Sequence, residues 1–264
     1  MRLATIPRCA IRLGLVALVM LIQLALLTRS GESTTWSAVD DFSGTVNTDS
    51  STWSYRGQEG SVTRGGNYTL LTSFSEAGPG NPWGQPFWNN GSVHYPAVGA
   101  NQTGGSLWLF GNVGGPGAVE WPTGTLWMNP VASGLVVVSW LSPAAQTVDI
   151  SFAFTSIDAG GNQDGNLWFV ERNDSTGTLA SGFQADAQTT GLLRLTNVSV
   201  NLGDRINFVL DSNIEQAFDS TTLVATITPS PVPEPTTLLL LGSGLVGLAG
   251  TAWRARPRRE RGAQ

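Results

Sequence analysis

Between residues 135 and 228, apolar side chains alternate with polar ones along short segments that Gly, Asn, Asp and Pro separate. Successive side chains of a strand point to opposite faces, so a period of two predicts strands with one buried face. Helical periodicity is nearly absent from the same region. We therefore expect four strands, at Leu135–Leu141, Val148–Phe154, Asn166–Glu171 and Leu223–Thr228.

Two further alternating segments, Val198–Leu202 and Ile206–Leu210, flank Gly203 and Asp204. Two-residue connections with Gly join paired antiparallel strands, so the sequence predicts a hairpin here. Many short strands with polar turns favour an all-β fold in which two sheets pack face to face. We expect residues 31–228 to form one jelly-roll-like β-sandwich ectodomain.

The first 30 residues have the organisation of a secretory signal peptide. Arg2, Arg8 and Arg12 precede the apolar segment Leu13–Leu27, and small residues around Ser30 offer a cleavage site. An uncleaved signal anchor is the alternative. The chain has one cysteine, Cys9, inside this segment, so the mature domain is expected to contain no disulfide and no catalytic thiol.

The last 36 residues combine three features in a fixed order. Residues 229–235 carry alternate prolines, which predict an extended stalk. Thr236–Trp253 is uncharged over 18 residues, long enough for a transmembrane helix. Residues 254–264 form a basic tail, which is expected on the cytoplasmic side, so that residues 31–235 lie outside. The stalk contains Val232, Pro233, Glu234 and Pro235, and the tail contains Arg254, Arg256, Arg258, Arg259 and Arg261.

These three features in this order resemble the PEP-CTERM protein-sorting signal of bacteria that make extracellular polysaccharide. The resemblance implies export, transient anchoring in the inner membrane and processing near Glu234 by an exosortase, followed by placement at the cell surface or in the extracellular matrix. An extended peptide at the membrane surface suits a protease groove that binds extended backbone. An ordinary C-terminal anchor behind a proline-rich stalk is the alternative.

The charge of the exported region argues against one class of partner. The chain has no lysine, and residues 31–235 carry 18 acidic residues against five arginines. Phosphate backbones repel such a domain, so nucleic-acid binding is not expected.

The segment 135–228 also resembles exported β-sandwich modules of planctomycete-like bacteria, which are similar to carbohydrate-binding jelly rolls. The residues that match are Trp140, Asp158 with Gly160 and Gly161, the segment 203–208, and the segment 219–221. The resemblance implies extracellular polysaccharide as a partner, although a fold alone does not fix a function.

Aromatic residues are concentrated in the first half of the domain, and four of them are candidates for glycan binding: Trp83, Phe87, Trp88 and Tyr95. Trp and Tyr rings present apolar faces that stack on sugars, and the segment 81–90 has the composition of a loop. The alternative is that these rings belong to the core, where tryptophan is usually buried.

Four carboxylates are candidate ligands for a structural Ca²⁺: Asp158, Asp164, Asp40 and Asp219. Oxygen ligands on a flexible loop suit calcium, and the first and last strands of a jelly roll are often neighbours. Asp- and Gly-rich loops are also ordinary turns. No other cofactor is expected.

Catalytic groups are scarce. His94 is the only histidine, so triads and histidine-based metal sites are poorly supplied. Glu120 and Glu171 are the candidate pair for a glycoside hydrolase, which needs two carboxylates about 5–10 Å apart. The sequence favours a non-enzymatic surface or matrix protein that binds polysaccharide. The alternatives are a secreted glycan-active hydrolase and a structural surface protein without a specific ligand.

Overall fold

The computed structural model describes residues 34–59, 64, 68–76, 85–91, 95–110, 119–132, 134–158, 164–185, 187–213, 219–230 and 244. Over these residues the chain forms strands and one 3₁₀ turn, Ser175–Gly177. The strands are β1 Trp36–Ser37, β2 Trp53–Gln58, β3 Thr69–Leu70, β4 Ser73–Ser75, β5 Phe87–Asn89, β6 Ala97–Ala100, β7 Leu107–Leu109, β8 Val119–Trp121, β9 Leu126–Asn129, β10 Leu135–Leu141, β11 Gln146–Ser156, β12 Asn166–Arg172, β13 Thr178–Gln184, β14 Leu193–Val200, β15 Arg205–Asp211 and β16 Thr221–Pro229.

Two large sheets contain most of these strands. The eight-stranded sheet has the order β14-β11-β16-β9-β6-β5-β4, with β1 paired to β16, and the six-stranded sheet has the order β13-β12-β15-β10-β2-β3. All the pairs are antiparallel. The prediction of an all-β sandwich is confirmed. The four predicted strands are present, each extended by no more than two residues at either end.

The core lies between the two sheets. Alternation in β10 sends Val136, Val138 and Trp140 into it, where they face the inward side chains of β11 and β16. The ring of Phe152 on β11 lies 5.8 Å from that of Trp168 and 5.9 Å from that of Phe208, both on the opposite sheet. These aromatic contacts join the two sheets.

A second apolar layer covers the outer face of the eight-stranded sheet. The hairpin of β7 and β8 brings Trp121 against Trp127 of β9, with ring centroids 6.0 Å apart. Phe87, Ala97 and Leu109 complete the buried part of this cluster. The small hairpin covers this apolar face of the sheet and so keeps it from contact with water.

The predicted hairpin at 198–210 is wrong. β14 pairs with β11 in one sheet, whereas β15 pairs with β10 and β12 in the other. The connection therefore crosses the sandwich, and it is held against the β10–β11 connection by hydrogen bonds from Gly203 N to Ser142 O and from Ser142 N to Asp204 O. Alternation shows that each strand has one buried face, but it does not show which strand is its partner.

The predicted signal peptide and basic tail lie outside the described residues, as do residues 231–235 of the predicted stalk and the predicted transmembrane segment apart from Gly244. The first two residues of the predicted stalk are described, and they continue the sheet: Pro229 ends β16 opposite Val148 of β11, and Ser230 N donates to Thr147 O. In the described part of the chain, no helix combines the length and the apolar character that a membrane span requires. The jelly-roll connectivity stays a prediction.

Candidate functional site

The outer face of the six-stranded sheet carries a row of polar side chains at one level of four neighbouring strands. Register places them side by side on β2, β10, β15 and β12: Ser54, Ser139, Asn207 and Glu171. All four are buried, with exposed fractions of 1% or less. Burying polar groups costs free energy unless each one is hydrogen-bonded, so the contacts of this row determine what it does.

The row is buried in part because Arg64 and Tyr68, which follow β2 in the sequence, lie over this face of the sheet. Tyr68 packs on apolar residues beside the row, namely Leu135, Val137, Phe169 and Val209. The guanidinium of Arg64 lies 3.5 Å from the centroid of the Phe169 ring, a cation–π contact. Part of the face is thereby closed, and the rest remains open as a cleft.

Glu171 lies at the closed end of the row. Its Oε2 accepts a hydrogen bond from Tyr68 Oη at 2.8 Å, and its Oε1 lies 3.4 Å from Arg64 Nη1. Burial raises the pKa of the Glu171 carboxyl, while the Tyr68 hydroxyl and the Arg64 charge act in the opposite direction. A buried carboxylate with these partners is a structural group that a change of pH can titrate.

We expect Glu171→Gln to remove a pH dependence of stability. Because the folded state holds the Glu171 proton more tightly than the unfolded chain does, wild-type stability falls as pH rises from about 4.5 through the raised folded pKa. The variant lacks this loss. Between about pH 4.5 and the raised folded pKa, the free energy of unfolding of the variant minus that of wild type should therefore increase by up to about 1.4 kcal/mol per pH unit. Urea denaturation at several pH values measures the difference.

A second variant checks the cause of this effect. Tyr68→Phe removes the hydroxyl that lowers the pKa of Glu171, so its pH-dependent loss of stability should extend to higher pH than in wild type. Parallel stability curves for wild type and Glu171→Gln from pH 4 to 7 would contradict the assignment.

At the open end of the row, two arginines converge. Arg56 of β2 donates from Nε to Ser54 Oγ at 3.0 Å, from Nη1 to Tyr68 O at 3.1 Å and from Nη2 to Asp49 Oδ1 at 2.5 Å. Arg205 of β15 donates from Nη1 to Ser54 Oγ at 3.2 Å, and its Nη2 reaches the carbonyl of Asp49. The hydroxyl of Ser54 therefore links the two guanidinium groups.

These groups surround a cavity of 470 Å³ that opens to solvent, which we call the outer cleft. It is lined by Asp49, Arg56, Tyr68, Thr69, Leu70, Asn173, Arg205 and Asn207. Asn207 Nδ2 donates to Asn173 O at 3.0 Å, and Asn173 Oδ1 accepts from Arg205 N at 2.8 Å. The side chains are held by one another before any ligand arrives, which suits the recognition of a polar, hydroxyl-rich molecule.

The sequence reasoning did not find this site. Its members are separated along the chain, and on a half-buried strand a polar residue at every second position is the ordinary solvent-facing pattern. One signal was present: three of the five arginines in residues 31–235, Arg56, Arg64 and Arg205, lie on this face.

The structure corrects two of the four residues of the predicted aromatic site. Phe87 is fully buried in the layer on the eight-stranded sheet, and Trp88 is 7% exposed, with its Nε1 donating to Ser43 O at 2.7 Å. Tyr95 is half-buried against the same layer as Phe87. Phe87 and Trp88 therefore present no open ring face, whereas a glycan contact of the half-buried Tyr95 stays a prediction. Trp83 lies outside the described residues.

Of the four predicted calcium ligands, two come into one neighbourhood. Asp158 Oδ2 accepts from Ser220 N at 2.7 Å, which places it beside the buried Asp219. The Asp164 carbonyl accepts from Asn213 Nδ2 at the same end of the sandwich.

Asp40 lies far from that end. Asp40 follows β1, where Ala38 N donates to Ala225 O in the middle of β16, whereas Asp219 precedes the first residue of that strand, Thr221. Among the described residues no group of three or more His, Cys, Asp and Glu side chains is placed to hold a metal ion, so calcium stays a prediction.

The predicted pair of catalytic carboxylates does not form. Glu120 is exposed on β8, outside the eight-stranded sheet, where its Oε1 accepts from Ser106 Oγ at 2.6 Å. Glu171 is buried on the outer face of the other sheet. The whole sandwich separates them, because β8 covers one outer face and Glu171 belongs to the opposite one. His94 lies outside the described residues.

Several solved structures of carbohydrate-active proteins show a weak likeness. A GH26-CBM35 β-(1,4)-mannanase of Podospora anserina is 16% identical and has a TM-score of 0.29; the match covers 52% of this chain and 28% of that one. The family 11 carbohydrate-binding module of the cellulase Lic26A-Cel5E of Clostridium thermocellum is 11% identical, with a TM-score of 0.27, over 77% of this chain and 97% of that one. At TM-scores this low, neither the fold nor the function of this chain follows from them.

No curated protein matches the sequence. The last part of the chain does match a known family: residues 231–259 fit the model of the PEP-CTERM protein-sorting motif. This match contains the four residues of the predicted stalk motif, the predicted transmembrane segment and four of the five tail arginines. The predicted resemblance is therefore confirmed, and the chain carries a PEP-CTERM protein-sorting motif directly behind its β-sandwich.

Proposed function

We propose that this chain is an exported, exosortase-processed surface or matrix protein without catalytic activity, and that its sandwich binds extracellular polysaccharide in the outer cleft. The sorting motif at 231–259 supports export and processing. The observation that carries the binding role is the preformed polar network around a 470 Å³ cavity.

The chemistry of the outer cleft matches that of a sugar. Guanidinium, amide, hydroxyl and carboxylate groups from Arg205, Asn173, Thr69 and Asp49 line one opening, and they offer both donors and acceptors to sugar hydroxyls. Since Asn173, Arg205 and Asn207 are already joined by hydrogen bonds, binding requires little ordering of side chains. A chain-like ligand is accommodated because the cleft opens at the surface of a sheet rather than inside the core.

A bulky substitution at the mouth of the outer cleft tests this role. Thr69 lies exposed on the edge strand β3 and lines the cleft. Thr69→Trp should occupy the opening and reduce retention on polysaccharide about tenfold or more, because ligand atoms lose their contacts. Affinity electrophoresis through gels containing neutral and acidic polysaccharides, with protein purified after expression of the full chain, measures retention.

Thr196→Trp is the matched control. Thr196 is also an exposed threonine on an edge strand, β14, but it belongs to the other sheet. Its variant should be retained like wild type. If the polysaccharide gels retain both variants equally, the binding site lies outside the outer cleft. If no polymer retains the folded wild-type protein, the proposed binding is overturned in favour of a purely structural role.

A further inference from the structure

The charges of the outer cleft are unequal. Arg56 and Arg205 both point into it, and among the described residues that line it Asp49 is the only carboxylate. Asp49 Oδ1 lies 2.5 Å from Arg56 Nη2 and 3.9 Å from Arg205 Nη2. Glu171 does not balance this excess, because its ion pair is with Arg64. The cleft therefore holds two cations against one anion.

Both guanidinium groups are mostly removed from water. Their side chains are 10% exposed in Arg56 and 19% exposed in Arg205. Burial, and next the charge of Arg56, lower the pKa of Arg205 from its ordinary value. Neighbouring like charges in a partly dry site are relieved when an anion binds between them.

Donors remain for such an anion. A guanidinium has five N–H groups, and the hydrogen bonds of Arg56 to Ser54, Tyr68 and Asp49 account for three of them. Arg205 directs Nη1 to Ser54 and Ser139 and Nη2 to the Asp49 carbonyl. The remaining donors of these two side chains are the ones that a ligand can engage.

Asp49 shows where a carboxylate fits. Its side chain is 77% exposed, so it contacts both arginines from the solvent side and can move aside at little cost. The hydrogen bond and the charge of Arg56 lower the pKa of Asp49, as expected of a carboxylate held by guanidinium. Arginine forks match the planar carboxylate geometry.

We infer that the outer cleft selects polysaccharides that carry carboxylate groups, such as uronate polymers, by placing one ligand carboxylate on Arg56 and Arg205. This inference rests on the proposed polysaccharide binding and specifies its ligand. The exported region as a whole is acidic, with 18 acidic residues against five arginines over residues 31–235, so the overall field repels a uronate polymer. Selectivity for it must come from the arginine pair.

The test compares polygalacturonate with the same polymer after chemical reduction of its carboxyl groups. Wild type should bind the acidic form about tenfold more tightly, since charge-assisted hydrogen bonds are the stronger ones. Arg205→Gln should lose that preference and bind both forms alike. Arg194→Gln is the control, because it removes the same charge from an exposed position on β14 of the other sheet and should keep the preference.

Five results separate the possibilities. A preference that Arg205→Gln abolishes and Arg194→Gln preserves supports the inference. Equal binding of both forms by wild type, weakened by Thr69→Trp, overturns the carboxylate inference and leaves polysaccharide binding in the cleft intact. Two results would show general charge attraction instead of carboxylate recognition and overturn the inference. One is an equal loss of the preference for the acidic polymer in Arg205→Gln and Arg194→Gln; the other is binding of dextran sulfate as tight as that of polygalacturonate. No binding of any polymer would overturn both proposals.

Discussion

The Phe152→Ala variant is expected to lose about 3–5 kcal/mol of its free energy of unfolding. Phe152 is fully buried on β11, which pairs with β14 and β16. Its ring lies within 6.1 Å of the rings of Phe154, Trp168 and Phe208, so removing it opens a cavity at the contact between the sheets. Chemical denaturation followed by tryptophan fluorescence measures the loss.

Phe183→Ala is the matched control for this prediction. It removes the same ring from the outer face of edge strand β13, where Phe183 is 57% exposed. Exposed side chains away from special features usually change stability by no more than about 0.5 kcal/mol. Similar losses in the two variants would mean that the aromatic contacts between the sheets are not what stabilises the sandwich.

Much of the second half of the domain was predictable because its strands are long enough to show a period, although the seven-residue edge strand β13 was not predicted. β10 has the predicted bounds, and β11 runs over 11 residues with its inward positions buried. Before residue 130 most strands have two to four residues, which is too few for periodicity to identify.

Strand pairing was the second property that could not be predicted from the sequence. β15 alternates as the sequence indicated, but the segment predicted at Val198–Leu202 is only the end of β14, Leu193–Val200, and Leu202 lies beyond that strand, 73% exposed. The two strands also lie in different sheets, because a tight connection can cross a sandwich as well as join a hairpin. Composition had the same limit for the aromatic candidates: Phe87 and Trp88 lie in a segment with the composition of a loop, yet tertiary contacts bury both of them. Neither pairing nor burial is encoded locally.

The outer cleft escaped prediction for a related reason. Asp49, Arg56, Asn173 and Arg205 become neighbours only when β2, β10, β15 and β12 align in register. Each residue alone fits an exposed position of a strand or turn. The folded sheet brings them together around one cleft, and neither this proximity nor the burial of Arg56 beside the polar row is visible in the sequence.

The Glu234→Ala variant is expected to accumulate as a membrane-bound precursor. Removing one charged group from a recognised peptide costs about 1.5–3 kcal/mol, which corresponds to a fall in processing rate of about tenfold or more. The folded domain brings this site close to its own surface: Ser230 N donates to Thr147 O at 2.8 Å, and Ser230 Oγ donates to Asp149 Oδ1 at 2.6 Å. Four residues span at most about 14 Å, so the processing enzyme must act beside the sandwich.

Glu260→Ala is the matched control, since Glu260 is the only other acidic residue beyond residue 230 and lies just after the matched motif. In an exosortase-containing host that expresses the full chain, the ratio of released to membrane-bound protein measures processing, with the Glu260→Ala ratio expected to equal that of wild type. Normal release of Glu234→Ala would show that the stalk glutamate is not what the enzyme recognises. If both variants instead remain membrane-bound to the same extent, the defect comes from the loss of any negative charge near the predicted transmembrane segment. Such a charge affects how the basic tail is held at the membrane.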